Sequence, residues 1–203
     1  MGCSNESSIS SGGNKVLVVV GPSGVGKDTV MQKVLEKYPE KFKKGVTHTS
    51  RKMRPGEKEG HNYYYRSKEE FLKLKEEGGL IEYFFYNGNY YGLSKKELEN
   101  GTRGQKISCV NIGVDGAKSL HDLKIPSNYF AILPPNEEVL EKRLKRRGTE
   151  SLDLIKERIE ASRIEIKKIN ELDFLKYKIV NNDLGKAVLE MENKLKELYP
   201  QLK

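Results

Sequence analysis

Short apolar runs alternate along this chain with longer stretches in which apolar residues recur every three or four positions. The runs are Val16–Val20, Ile107–Ile112, Tyr129–Leu133 and Tyr177–Val180. Their length and β-branched content predict buried strands. The periodic stretches are Lys27–Lys37, Gly113–Leu123, Asn136–Arg146, Leu152–Ile169 and Gly185–Leu198, and they predict helices. This alternation predicts an α/β core built on a parallel sheet.

The middle of the chain breaks the pattern. From Val46 to Tyr91 it is rich in Tyr, Phe and Gly, with short strand-like pieces in "NYYYR", "IEYFF" and "NYYG". Within it, "SKEEFLKLKEEGG" predicts a helix. Ser67 and Glu70 have capping-box spacing, Phe71 and Leu74 share a face, and Gly78 supplies a stop. "SKKELENG" repeats the device with Ser94, Glu97 and Gly101. A mixed α+β lobe over residues 46–103 is therefore expected, inserted into a core of residues 15–45 and 104–203. Residues 1–14 are small, polar and aperiodic, and predict a disordered tail.

At 203 residues the chain has room for one substantial core. No apolar run approaches the ~18 residues of a membrane span, and no secretory leader is apparent. Gly2 and Cys3 could accept lipid, but Glu6 replaces the hydroxyl residue that the acylation pattern needs. The two cysteines lie far apart, and Cys109 sits in an apolar run. A buried thiol in a reducing, cytoplasmic setting is expected. The net charge of +8 resides largely in lysines that alternate with glutamates on helical faces. Such faces are solvated, so neither nucleic acid nor membrane is expected as a partner.

Four constellations carry chemistry. Gly21-Pro22-Ser23-Gly24-Val25-Gly26-Lys27 follows a buried-strand pattern and opens a helix. Glycines there let backbone N–H groups converge on phosphate oxygens, and the lysine adds a point charge. In "THTSRKMRPGEKEGHNYYY", Arg51 and Arg54 are followed by Tyr63. Two forked guanidiniums and a phenol suit a phosphate monoester, although an exposed basic loop would look similar. In "LIEYFFYNGNYYG", Glu82 lies within an apolar strand, where a carboxylate needs donors from protein or ligand. Guanine presents two adjacent donors, N1–H and the N2 amino group; adenine lacks that pair. Finally, "EKRLKRRGTESLDLIKERIEASR" holds five of the nine arginines. Arg143 and Arg147 are one helical turn apart, Gly148 breaks the pattern, and Arg158 follows. A basic helix pair is one reading. The other is a lid over residues 146–165 that brings guanidiniums to a transferring phosphoryl group.

Together, "GPSGVGK", "TSRKMRPGE", "GHNYYY", "IEYFFYNGNYYG", "ILPPN", "KRLKRRGTES" and "VNND" make the chain resemble the guanylate kinase family from about Lys15 to Leu198. The resemblance implies a phosphate-loop nucleoside monophosphate kinase fold with a helical lid, and a monomer that phosphorylates GMP or dGMP with ATP and Mg²⁺. It places Thr47, Arg51, Arg54, Tyr63, Glu82 and Tyr91 around GMP. It places Gly21 to Thr29, Asp28 included, around the ATP phosphates, and Arg143 and Asn181 near the adenine. Lys27, Arg51, Arg147 and Arg158 would act on the transferring group. No metal ligand is assigned.

The chain departs from the family pattern at several positions. Asp28 follows the loop lysine where a serine is usual, and Leu93 replaces a hydroxyl residue. In "CVNIGVDGAKSL", Asn111 and Gly113 stand where relatives have two aspartates, and Asp115 stands for a glutamine. Asp28 has two readings: a metal ligand, directly or through water, or an acidic first-turn residue turned away from the phosphates. Two other functions remain open, a binding module that has lost catalysis and a kinase for another nucleoside monophosphate. His48, His61 and His121 are scattered, and none is assigned a catalytic role.

Overall fold

The computed structural model describes residues 15–86, 88–102, 106–146 and 152–203, with positions 86, 101 and 102 described by backbone alone. In chain order the elements are β1 (Val16–Val20), α1 (Lys27–Lys37), β2 (Phe42–Lys44), β3 (His48–Thr49), β4 (Tyr64–Tyr65), α2 (Lys68–Glu76), β5 (Leu80–Tyr86), β6 (Asn89–Ser94), α3 (Lys95–Thr102), β7 (Ile107–Asn111), α4 (Val114–Asp122), β8 (Ser127–Leu133), α5 (Glu137–Arg146), α6 (Leu152–Glu171), β9 (Tyr177–Val180) and α7 (Leu184–Leu198).

Five strands form a parallel sheet in the order β2-β7-β1-β8-β9. All five residues of β1 are fully buried because both faces of the sheet are covered. Leu17 and Val19 pack with Val30, Met31 and Val34 of α1, Leu140 and Leu144 of α5, and Met191 and Leu195 of α7. Val16, Val18 and Val20 face the other way, into a cluster with Leu98 of α3 and Val114, Ala117 and Leu120 of α4. Each such side chain contributes roughly 1.5–3 kcal/mol on burial. The loops at the carboxyl ends of β1, β7 and β8 thus stand on a rigid base, where open α/β sheets bind ligands.

A second sheet, in the order β4-β3-β6-β5, forms from the middle of the chain. Its β5–β6 hairpin is antiparallel, with a register irregularity between Leu80 and Glu82. The Ser67–Glu70 capping box opens α2 as its spacing predicts, and Gly78 turns at φ +66° just beyond the helix. The second device forms only in half. Ser94 Oγ accepts from the Glu97 N–H at 3.2 Å. The Glu97 carboxylate turns away to accept from the Val46 N–H and the Tyr64 hydroxyl, each at 3.1 Å. Burial explains the exchange: Glu97 is 5% exposed, and these two donors lie beside it. Gly101 does not stop α3, which runs through it to Thr102.

The pattern did not reveal β2 or β3. β2 is a three-residue edge strand with one buried side chain, and β3 has two residues, too few to show a period. The segment expected as a lid is largely α6, which buries Ile155, Arg158, Ile159, Ser162 and Ile169. Arg147 and Gly148 lie outside the described residues. Cys109 is a buried free thiol, as expected. Among the described residues no helix is long and apolar enough to cross a membrane.

Phe130 of β8 is fully buried in the first cluster and stacks on Tyr177 at 4.9 Å. Phe130→Ala is expected to cost about 3–5 kcal/mol, read as a lower urea midpoint at unchanged slope.

Candidate active site

The glycine-rich loop leaves β1 through a constriction. Gly21 has φ +140°, and a Cβ there would lie 2.1 Å from the Ile132 carbonyl oxygen. Only glycine fits. Gly26, at φ +94°, precedes the first turn of α1, and a Cβ on it would lie 2.6 Å from Asn181 Nδ2. Lys27 folds back over the loop, and its ammonium donates to the carbonyls of Gly21 and Pro22.

Three distant residues brace this loop from outside. Asn181, just after β9, donates from Nδ2 to the Val25 carbonyl at 2.8 Å. Arg143 of α5 donates to the same carbonyl at 3.2 Å and to the Asn181 carbonyl at 2.8 Å. Arg158 of α6, 9% exposed, donates to Ser23 Oγ at 3.2 Å. Asp28 and Thr29 are exposed in the first turn of α1. Asp28 Oδ1 accepts a hydrogen bond from Asn111 Nδ2, at the end of β7, at 2.9 Å.

The second sheet gathers an aromatic and cationic cluster. The Arg51 guanidinium lies 5.4 Å from the centroid of the Tyr63 ring and 5.8 Å from that of Tyr65. It pairs with Glu57 at 2.7 Å. Glu57 also accepts from the Arg54 N–H at 2.7 Å and from the Tyr65 hydroxyl at 2.8 Å. The Arg51 hydrogen bond is the main reason the Glu57 carboxyl falls to about 2. The Arg54 side chain is exposed; Thr47 is half-buried, and its carbonyl accepts from the Tyr64 N–H. Tyr63 meets Tyr91 edge-on at 6.0 Å, and Tyr91 stacks on Phe84 at 5.4 Å.

Two residues before Phe84 on β5 stands Glu82, opposite Leu93 and 7% exposed. Among the described residues it has no cationic partner. Burial lifts its carboxyl to about 7, opposed only by the Leu93 backbone. Gly116 of α4 makes room for it: a Cβ there would lie 2.8 Å from Glu82 Oε2. The two halves of the site face each other. The Tyr63 hydroxyl is raised first by burial and next by the charge of Asp28. On α6, burial likewise raises the Glu165 carboxyl, while the Lys27 charge and the Val114 N–H act to lower it.

The family described as Guanylate kinase matches residues 13–198. Guanylate kinase from Streptococcus thermophilus is 41% identical over 186 residues, covering 88% of this chain and 87% of that protein. Guanylate kinase 1 from Oryza sativa subsp. japonica is 36% identical over 172 residues, 85% of this chain; the chain spans 45% of that longer protein. The crystal structure of guanylate kinase from Anaplasma phagocytophilum superposes with a TM-score of 0.70 at 30% identity, covering 94% of this chain and 89% of that one.

The chain belongs to the guanylate kinase family. It is a kinase by membership, with the parallel core and phosphate loop of that fold. In this guanylate kinase family member the loop residues, Arg143, Arg158 and Asn181 form one group, and Arg51, Tyr63 and Tyr91 form another. Glu82 stands between the second group and α4. Three residues and one contact were not singled out from the sequence: Glu57, which aims Arg51; Gly116, which admits Glu82; Glu165, beside Lys27; and the hydrogen bond that joins Asn111 to Asp28, two positions noted there only separately. Glu57 had a faint signal, an acid within a basic loop. The other three depend on contacts between elements far apart in sequence. Among the described residues no three His, Cys, Asp or Glu side chains cluster as a metal cage. Asp28 is the exposed carboxylate in the first turn after the phosphate loop.

Glu82 sets a pH dependence of stability. Its folded value lies above the ordinary value of 4.5, so the neutral acid is the form that the fold prefers. Below 4.5 it is neutral in both states. Between 4.5 and about 7 the unfolded chain has lost a proton that the folded chain keeps, so stability falls as pH rises. The loss is expected to reach at most about 3 kcal/mol in the ligand-free protein. Denaturant titrations from pH 4.5 to 8 on wild type and Glu82→Gln check this; the variant should lack this component of the slope.

Proposed function

We propose that the protein transfers the γ-phosphoryl group of ATP to GMP, and to dGMP, in cytoplasmic purine nucleotide metabolism, acting as a monomer. Glu82 carries this reading. A buried carboxylate without a cation among the described residues is costly, and it is relieved by a ligand that brings two adjacent donors. The guanine N1–H and N2 amino groups supply that pair. Thr47 offers a hydroxyl toward guanine O6. Arg51, Arg54, Tyr63 and Tyr91 take the monophosphate, with Arg51 already oriented by Glu57 and flanked by two tyrosine rings. Residues 46–103 are then the GMP lobe, and residues 146–165 the lid.

On the ATP side, Gly21 to Thr29 receive the phosphates, and Lys27 exchanges its loop carbonyls for phosphate oxygens. Arg143 and Asn181 lie toward the adenine, and Arg158 reaches the transferring group beside Ser23. Arg147 belongs to the same set by sequence. Mg²⁺, when bound, would supply positive charge against the triphosphate, and the exposed Asp28 carboxylate next to the loop is the residue of this chain that could help to hold it. A GMP phosphate oxygen attacks the γ-phosphorus as the bond to ADP breaks. The attacking phosphate is already anionic near neutral pH, so no side chain need remove a proton. Positioning and charge neutralisation supply the rate.

The deciding experiment is a coupled assay over GMP, dGMP, AMP, CMP and UMP. Turnover with GMP should exceed that with AMP by roughly 10²-fold or more. Equal rates would remove the guanine assignment, and no turnover with any of the five would favour a binding module. Glu82→Gln should weaken GMP binding by about 2–4 kcal/mol, measured by calorimetry, because the amide must turn a donor toward one guanine donor. Lys27→Ala should lower kcat by about 10²-fold or more in the same assay.

A further inference from the structure

Arg51 and Arg54 lie on a largely exposed loop, and a loop alone would leave the spacing of two arginines open. A turn removes that freedom. Pro55 and Gly56 occupy its centre, Gly56 at φ +83°, and the Glu57 N–H donates to the Arg54 carbonyl at 3.1 Å. A Cβ on Gly56 would meet nothing within 4 Å, so backbone conformation alone calls for glycine there. The turn returns Glu57 to both arginines. Its Oε1 accepts from the Arg51 guanidinium at 2.7 Å, and its Oε2 accepts from the Arg54 N–H at 2.7 Å. The Arg51 and Glu57 side chains are only 13% and 18% exposed, so this pair is held largely out of solvent, where its geometry counts.

Glu57 is itself held by a residue that no step so far has used. The Tyr65 hydroxyl donates to Glu57 Oε2 at 2.8 Å. The same side chain places its ring 5.8 Å from the Arg51 guanidinium and meets Tyr63 edge-on at 5.9 Å. Tyr65 belongs to β4, opposite Thr49 of β3, and its N–H donates to Glu59 Oε2 at 2.8 Å. It therefore ties the turn to a paired strand. Burial, and next the Glu57 hydrogen bond, push its phenol up to about 12, so it remains a donor near neutral pH.

We propose that Tyr65 is a positioning residue of the monophosphate site: acting through Glu57, its hydroxyl sets the spacing of Arg51 and Arg54 to fit one phosphate monoester. Without the hydroxyl, Glu57 can rotate, the Arg51 guanidinium follows it, and their ordering falls to the moment of binding. The proposal deepens the kinase reading above and rests on it only for a monoester as the ligand of these two arginines.

The test uses the full chain and two monoesters, GMP and ribose 5-phosphate, the second carrying no base. NMR titration gives both dissociation constants, and calorimetry gives that of ADP. Tyr65→Phe keeps the ring and removes the hydroxyl; it should weaken both monoesters by about threefold to tenfold and leave ADP within about twofold. Glu57→Gln should weaken both by about tenfold or more, and adding Tyr65→Phe to it should cost little further. Wild-type affinity for both monoesters in Tyr65→Phe, even beside a lowered urea midpoint, makes the hydroxyl merely structural and overturns the proposal. So does equal weakening of ADP, which marks a general defect. Losses that multiply in the double variant overturn the route through Glu57. If wild type bound GMP no more tightly than ribose 5-phosphate, the guanine reading would fail while the Tyr65 effect on ribose 5-phosphate still stood. Binding of neither monoester by wild type overturns the proposal itself.

Discussion

The close approach of Gly21 to the Ile132 carbonyl is the constraint on which the rest of the site depends. The chain must leave β1 in a left-handed conformation with no side chain, because β8 occupies the space. That exit directs the loop over the sheet's carboxyl edge instead of along it. α1 then starts from Gly26 in a fixed direction, set by Val30, Met31 and Val34 locking into the core. Arg143, Arg158 and Asn181 can brace the loop because it is already in one place. Strands buried on both faces make that place rigid, and the chemistry inherits the rigidity.

The two halves of the site differ in how their charges are settled. Among the described residues, three cations of the site already have partners: Lys27 on loop carbonyls, Arg158 on Ser23, and Arg51 on Glu57. Glu82 has only a backbone contact, and the fold tolerates it by shifting its titration. A structure optimised for stability alone would place an apolar residue there. The carboxylate is retained at a cost, and costs of this kind collect at functional positions.

Much of this was legible in the sequence, for identifiable reasons. β1, α1 and β9 begin and end where the apolar pattern places them, because the two strands are runs bounded by polar residues or glycine and α1 keeps one apolar face over three turns. The phosphate loop was legible because its glycines are required by backbone geometry. Glu82 stood out as a charge in an apolar strand. What stayed hidden was short or tertiary. β2 and β3 are too brief to show a period. Glu97 has capping-box spacing, yet its carboxylate found better donors in the folded chain. Asn111 on Asp28 is separated by 83 positions, and nothing local announces it.

Lys27 and its two carbonyl partners bear on how a nucleotide would be received. A lysine free in solution samples many rotamers, and stilling it on binding forfeits ~2 kcal/mol of entropy. Here the side chain is stilled when the protein folds, since its ammonium is already tethered across the loop. An anion arriving at the loop therefore meets a cation whose direction is already set and must compete with those carbonyls for it. The tether thus moves an ordering cost from the moment of binding to the moment of folding.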